Sequence, residues 1–203
     1  MKKFIVIGVV VGIIAVLAVL GIRTYNKLVG LENEVDQAWA NVEVQYQRRM
    51  DLIPNMVETV KGYAEHESST YENVTRARAG LTDAYNHAGE LQQGTTPSDA
   101  ARFESYTAAQ ADLNKALSIY VNAVREAYPD LKANEQFNNL QTVLEGTENR
   151  IATWRTRYTD IGKHYNTTVR RYPATVIAGT FGFSTKPQFQ ADPEAAKAPT
   201  VQF

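Results

Sequence analysis

The sequence predicts an all-α protein in which an N-terminal transmembrane helix continues into a long antiparallel four-helix bundle with an extended C-terminal tail. Three observations support this fold class. An uncharged apolar run opens the chain, apolar residues then recur at alternating spacings of three and four, and glycine and proline are sparse before Pro173. We expect a membrane anchor at residues 1–23, the bundle at 24–172 and the tail at 173–203.

The predicted anchor is the apolar run at residues 4–22, which lies between Lys3 and Arg23. Its nineteen residues would span about 28 Å as a helix, enough to cross a bilayer. A cleavable signal peptide is the alternative, but its apolar region is usually shorter, about 7–15 residues, and no small-x-small site follows the run. Gly8 and Gly12 form a small-residue face along which two such helices can pack.

The predicted bundle has four helices, near residues 24–65, 67–88, 98–128 and 132–171. A helix start signal at Ser98 and Asp99 and a stop at Pro129 bound the third helix. No turn residue marks the break near His66, so the sequence leaves open whether the first two helices form one bent rod. The outer helices are the longer ones, so the membrane end should hold only the first and fourth helices. Either the C-terminal segment or neighbouring copies would cover their apolar sides there.

Polar residues replace apolar ones along these stripes and predict a polar layer inside the bundle. Counted from the predicted turns, Arg49, Gln110 and Glu148 lie at similar heights, and Arg78 lies within about two helical turns of them. A buried arginine needs a paired acid, for which Glu148, Asp51 and Glu145 are the candidates. The layer either fixes the alignment of the helices or binds a ligand. Its expected members are Gln45, Arg49, Asp51, Arg78, Gln110, Glu148 and Asn149.

The sequence gives no sign of enzymatic chemistry. The chain has no cysteine, and none of its three histidines follows a glutamate by three residues, as a carboxylate-bundle metal site requires. It also lacks a phosphate-binding glycine loop and a nucleophile motif. We therefore expect no catalytic residue, no cofactor and no metal. The net charge of −1 offers no basic excess for nucleic acid.

Short motifs spread over the chain carry a family resemblance. They are Gln47, Arg48, Arg49 and Asp51 to Asn55, then Tyr63, His66 and Glu67, Ala77 with Arg78, Leu144 to Ile151, Tyr165 with Asn166, and Gly182 with Phe183. Together they resemble the bacterial LemA family over nearly the whole chain. The resemblance implies a single-pass membrane protein with a soluble helical bundle, no established enzymatic activity and a role in membrane organisation or recruitment.

The resulting functional hypothesis is a membrane-anchored, non-enzymatic scaffold that self-associates and organises or recruits cell-envelope components. Its expected partners are the lipid bilayer, further copies of the chain and an envelope protein. We expect it in the bacterial inner membrane with the bundle outside the cytoplasm, because Lys2 and Lys3 precede the anchor. The alternative hypothesis is an extracytoplasmic ligand-binding or sensory bundle with a polar interior site. The end of the tail is either solvated or a peptide for a partner.

Overall fold

The computed structural model describes residues 2–66 and 71–190, which form helices and no strand. The elements are α1 (Lys2–His66), α2 (Glu72–Gln92), α3 (Ala100–Ala127), a 3₁₀ turn (Pro129–Ala133), α4 (Glu135–Arg170) and α5 (Ala174–Phe181). The all-α prediction is confirmed. The first helix runs from the apolar segment into the bundle without a break and continues through Pro54.

Side-chain caps set the starts of α3 and α4, and the sequence marked the first of these two starts. The Asp99 carboxylate accepts a hydrogen bond from the backbone N–H of Arg102 at 3.0 Å and begins α3. The Asn134 side chain accepts one from the backbone N–H of Phe137 at 3.1 Å and begins α4. Each cap satisfies a backbone donor that has no partner within its own helix.

Contacts at two heights show that α3 runs parallel to α1 and α4 antiparallel to it. Trp39 near the membrane end of the bundle packs on Phe103 and Tyr158, with ring centroids 4.8 Å and 5.8 Å away. At the far end, Tyr63 packs on Tyr128 just after α3, with centroids 5.9 Å apart. The closest helix pairs are α1 with α4 and α2 with α3.

The second helix returns alongside the first, so α1 and α2 are two helices and not one bent rod. Gln92, the last residue of α2, donates a hydrogen bond to the Gln47 side chain at 2.6 Å. At the opposite end of α2, Tyr71 packs on Tyr128, with centroids 5.3 Å apart. The connection at residues 67–70, where the sequence placed the least secure break, lies outside the described residues.

The interior has two parts with different packing. The half farther from the membrane is mostly aliphatic, with residues such as Met56, Leu113 and Leu144. The half nearer the membrane is rich in aromatic residues around Trp39 and Tyr158. Each fully buried large apolar side chain contributes about 1.5–3 kcal/mol, so the two clusters hold the four helices together.

The C-terminal segment covers the membrane end of the bundle, where only α1 and α4 are present. Helix α5 contacts both of them, and Gly182, with φ of +80°, ends it in the left-handed conformation that glycine adopts without strain. Residues 183–190, which we call the C-terminal strap, then run along the bundle without regular secondary structure. This corrects the expectation of an extended tail from residue 173. Residues 191–203, including the predicted partner peptide, lie outside the described residues.

Candidate functional site

The buried arginine of α1 forms the centre of the polar layer. Arg49 is only 2% exposed, and its Nη1 donates to the two carboxylate oxygens of Glu148 on α4 at 3.0 and 3.2 Å. Its Nη2 donates to the backbone carbonyl of Gln110 on α3 at 2.9 Å and to the side-chain oxygen of the same residue. One guanidinium therefore joins three helices, because its planar fork can donate in two directions at once.

A second, half-exposed set of polar contacts lies next to this one, between α1 and α4. Arg150 donates to the Gln45 side chain at 3.2 Å and to the hydroxyl of Thr147 at 3.1 Å. The expected layer included Gln45 but omitted Arg150. The signal for Arg150 was its position two residues after Glu148, although spacing alone does not distinguish it from a solvated arginine.

Three residues expected in the layer lie elsewhere. Arg78 is exposed, because Val74, Ala77 and Leu81 take the inward positions of α2 and residue 78 is turned about 100° from residue 77. Asp51 is exposed and accepts a hydrogen bond from Gln47 on its own helix at 2.6 Å.

Asn149 is the third residue that was expected in the layer but lies elsewhere. It directly follows Glu148 in the sequence and is exposed. The interior layer therefore comprises Arg49, Gln110 and Glu148, with Gln45 at its edge. The Nε–H group of Arg49 is buried and has no hydrogen-bond partner among the described residues. Whether the layer serves alignment or binding stays a prediction.

A groove of about 780 Å³ opens beside the layer, between α3 and α4. Arg49, Gln110 and Glu148 line it together with the end of the C-terminal strap. Further charges of both signs line it as well, from Arg155, Lys115, Glu104 and Asp112. Burial raises the pKa of Tyr46, which also lines the groove, so its phenol is a neutral hydrogen-bonding group at neutral pH. This groove is a place where a polar molecule of moderate size fits.

The C-terminal strap is fixed by a second buried cation, which the sequence analysis did not identify. Lys186 is 4% exposed, and its Nζ donates to Glu32 of α1 at 2.6 Å and to the Ser98 hydroxyl at 2.9 Å. The backbone of Lys186 forms two further hydrogen bonds with the Asn166 side chain of α4, at 2.7 and 2.8 Å. The strap is thus joined to α1, to α4 and to the start of α3.

An aromatic contact completes the attachment of the strap. The Phe189 ring lies between Trp39, Phe103 and Tyr158, with centroids 5.3 to 6.3 Å away. The guanidinium of Arg155 stacks over the Phe189 ring at 4.4 Å. The only sequence signal for these contacts was the pair Phe183 and Phe189 in a stretch without helical periodicity.

Two carboxyl groups near the membrane half of the bundle are partly buried. Burial raises the pKa of Glu43 above its usual value of 4.5. Burial also raises the pKa of Asp36, although nearby Lys186 acts in the opposite direction. Neither group belongs to a cluster of potential metal ligands among the described residues.

The described residues of the apolar segment of α1 are exposed except for Gly21, which is half-buried. Within the helix Lys3–Ala64 an 18-residue window has a mean hydropathy of 3.2 and no residue buried against the rest of the protein. That segment is long and apolar enough to cross a membrane. A Cβ added at Gly8 or Gly12 would meet no described atom within 4 Å, so this face is open for packing.

Comparison with known proteins gives one family and a small set of relatives. Residues 38–203 match the model of the LemA family, a range that includes the polar layer and the C-terminal strap. The magnetosome proteins MamQ 2 and MamQ 1 of Paramagnetospirillum magneticum are 27% identical to this chain over 194 residues, which cover 91% of this chain and 71% of each relative. Magnetosome protein MamQ of Magnetospirillum gryphiswaldense is 25% identical over 194 residues, which again cover 91% of this chain and 71% of the relative.

Proposed function

The chain belongs to the LemA family, and we propose that it acts as a membrane-anchored, non-enzymatic helical scaffold that self-associates and organises or recruits components of the cell envelope. It is a membrane-associated helical protein. The observation that carries the proposal is the continuity of α1, which runs from an exposed apolar segment into the packed bundle. Because the helix is continuous, a movement of the anchor in the bilayer would move the bundle with it.

The character of the bundle also supports a structural role. Most hydrogen-bonding groups of the polar layer are directed at each other, as in the contacts of Arg49 with Gln110 and Glu148. Such a layer fixes the register of helices. The MamQ relatives are magnetosome proteins, which supports a role in building or maintaining a cellular structure rather than in metabolism.

We further propose a single pass through the bacterial inner membrane with the bundle outside the cytoplasm. The α-amino group, Lys2 and Lys3 before the apolar segment outnumber Arg23 and Lys27 after it, which supports this orientation. Protease added to spheroplasts should then digest the bundle, and protease added to inverted vesicles should leave it intact. The reverse pattern would place the bundle in the cytoplasm and contradict the orientation while leaving the anchor unaffected.

Self-association is proposed through the open glycine face of the anchor. Changing Gly8 and Gly12 to leucine should reduce the cross-linked dimers seen in intact cells, because the bulkier side chains keep two helices apart. The matched control is Gly30→Leu, which lies on the same helix beyond the apolar segment and also has no described atom within 4 Å of an added Cβ. A wild-type chain that is monomeric and retains no envelope protein after cross-linking would refute the scaffold.

Ligand binding is a second candidate function, and the groove beside the polar layer favours it. The acidic Glu104 and Asp112 line the same groove. It offers Arg155 to an anionic group and Gln110 to neutral polar groups. Small anionic metabolites should then raise the thermal midpoint, and Arg155→Gln should abolish that rise. The control is Arg78→Gln, since Arg78 does not line this groove. A rise that survives Arg155→Gln would place binding elsewhere.

A further inference from the structure

Helix α5 lies at the height where the apolar segment of α1 ends. A Cβ placed on Gly21 would lie 3.7 Å from Cδ1 of Ile177, and the Phe181 ring packs on Tyr25 with centroids 4.9 Å apart. Since a helix rises 1.5 Å per residue, Gly21 and Tyr25 lie within about 5 Å of Ile22, the last residue of the apolar segment. A bilayer that surrounds this segment therefore has its surface at α5.

Two large apolar side chains of α5 are mostly exposed to the surroundings of the protein. Val176 is 56% and Phe181 is 60% exposed, and the neighbouring Tyr172 is exposed as well. None of the eight residues of α5 carries a charge. The end of the apolar segment of α1 is exposed at the same height, where Ile22 is 62% exposed. Exposed apolar surface of this kind marks an interaction site.

The charges around α5 have one sign. Residues 20–31 and 161–182, which lie around α5, contain five lysine and arginine residues and no aspartate or glutamate, although the whole chain has a net charge of −1. Lys186 of the C-terminal strap is not counted, because it is paired with Glu32. Arg23, Lys27, Arg170 and Arg171 are exposed. Arginine binds phosphate through two parallel hydrogen bonds, and tyrosines such as Tyr25 and Tyr172 are enriched at membrane surfaces.

We propose that α5 is a second membrane contact, which inserts Val176 and Phe181 into the headgroup region of the leaflet nearer the bundle while the flanking arginines bind the phosphates of anionic lipids. This inference rests on the proposed insertion of α1 in the bilayer. The partner is lipid because α5 lies beside the end of the apolar segment and is surrounded by positive charge. A short uncharged helix with exposed apolar side chains, flanked by basic residues at the height of the bilayer surface, fits binding at that surface.

The contact has a consequence for the bundle. Helix α5 leads directly into the C-terminal strap, and Lys186 joins the strap to Glu32 of α1. Two attachment points, α1 and α5, fix the tilt and the rotation of the bundle relative to the membrane. A single helix leaves the rotation open, because it turns freely about its own axis.

Spin labels at single cysteines test the contact, and the cysteine-free chain makes such labelling straightforward. The full chain is reconstituted into vesicles of phosphatidylcholine and phosphatidylglycerol as Val176→Cys, with Leu17→Cys in the apolar segment and Ile119→Cys on α3 as references. All three side chains are exposed, so the label disturbs no packing. Relative collision rates with oxygen and with a water-soluble nickel complex report the depth of each label.

We expect the label at residue 176 to have relative collision rates with oxygen and nickel that are closer to those at residue 17 than to those at residue 119. If residue 176 is as accessible to nickel as residue 119 while residue 17 lies in lipid, the inference fails and the anchor stands. If residue 17 is also accessible to nickel, the anchor fails too. Spin–spin broadening at residue 176 would show that a second copy covers α5, which also overturns the inference.

The role of the arginines has a separate readout. In the same vesicles, spin-labelled phosphatidylglycerol should associate with the protein in preference to phosphatidylcholine, and Arg170→Gln with Arg171→Gln should bring this preference close to unity. About fivefold weaker association per removed charge corresponds to about 1 kcal/mol. The matched control is Arg125→Gln, an exposed arginine at the far end of α3. An unchanged preference in the double variant would refute lipid binding by these arginines.

Discussion

Replacing Arg49 by methionine removes the charge at the centre of the polar layer while it keeps most of the apolar volume of the side chain. The change breaks the ion pair with Glu148 at 3.0 Å and the contacts with Gln110. The side-chain oxygen of Gln110, which is 1% exposed as a residue, then lies buried without its partner. An orphaned buried acceptor costs about 1–3 kcal/mol.

The exposure of Glu148, the acidic partner of Arg49, limits how much stability the substitution removes. Removing one member of a fully buried ion pair costs about 3–5 kcal/mol. The Glu148 side chain is 30% exposed and can turn to water, so we take the lower end, about 3 kcal/mol, for the loss in free energy of unfolding. For a chain of this size 1 kcal/mol shifts the thermal midpoint by about 2–4 °C, which gives a decrease of about 6–12 °C.

Circular dichroism of the full chain in detergent micelles measures the midpoint. Arg48→Met is the matched control, because Arg48 is the adjacent residue and is exposed; its midpoint should stay within about 2 °C of the wild type, as an effect under about 0.5 kcal/mol implies. In a double-mutant cycle with Glu148→Gln, the two substitutions should be non-additive by about 1–2 kcal/mol. Equal midpoints for Arg49→Met and Arg48→Met would refute a buried, paired Arg49.

Three further predictions concern the C-terminal strap and its surroundings. Lys186→Met should cost about 2–3 kcal/mol, because Glu32 loses its partner, and should speed proteolytic cleavage within the strap; an unchanged cleavage rate would contradict the attachment. Phe189→Ala should cost about 2 kcal/mol, since its ring is half-buried, and should alter the near-ultraviolet circular dichroism of Trp39; an unaltered spectrum would show that the strap lies elsewhere. Burial raises the pKa of Glu43, so the wild type loses stability as pH rises above 4.5, the usual value of the group. Glu43→Gln should therefore gain thermal stability over the wild type between pH 4 and pH 7, and a constant difference across that range would contradict the raised pKa.

The helices were predictable because each buries one side along most of its length. Apolar residues spaced alternately three and four positions apart, as in the runs that begin at Leu28 and Phe137, indicate a helix packed on other helices. The height of the polar layer followed from the constant rise of a helix, which brought Arg49, Gln110 and Glu148 together. Counting residues predicts well how high a side chain lies along a helix, but it predicts poorly in which direction the side chain points around the helix axis. An error of one position turns the side chain by about 100°. That rotation separates Arg78 from the interior, since Ala77 takes the inward position.

The C-terminal strap was not predictable from its own sequence. Segments with proline and without periodicity are usually loops or tails, and residues 183–190 have both features. Lys186 becomes buried only because the bundle narrows to two helices at the membrane end and brings Glu32 and Ser98 to the same place. Such a site depends on three distant parts of the chain. The lack of acidic residues at 161–190 was visible in the sequence, but it acquired meaning only when α5 was placed beside Gly21.

The intact mass of the protein extracted from membranes tests the central claim, that α1 is retained as an anchor continuous with the bundle. After an alkaline carbonate wash that strips peripheral proteins, the full chain of 22.6 kDa should remain in the membrane pellet with residues 4–22 intact. Protein in the supernatant whose sequence begins beyond Arg23 would contradict the account.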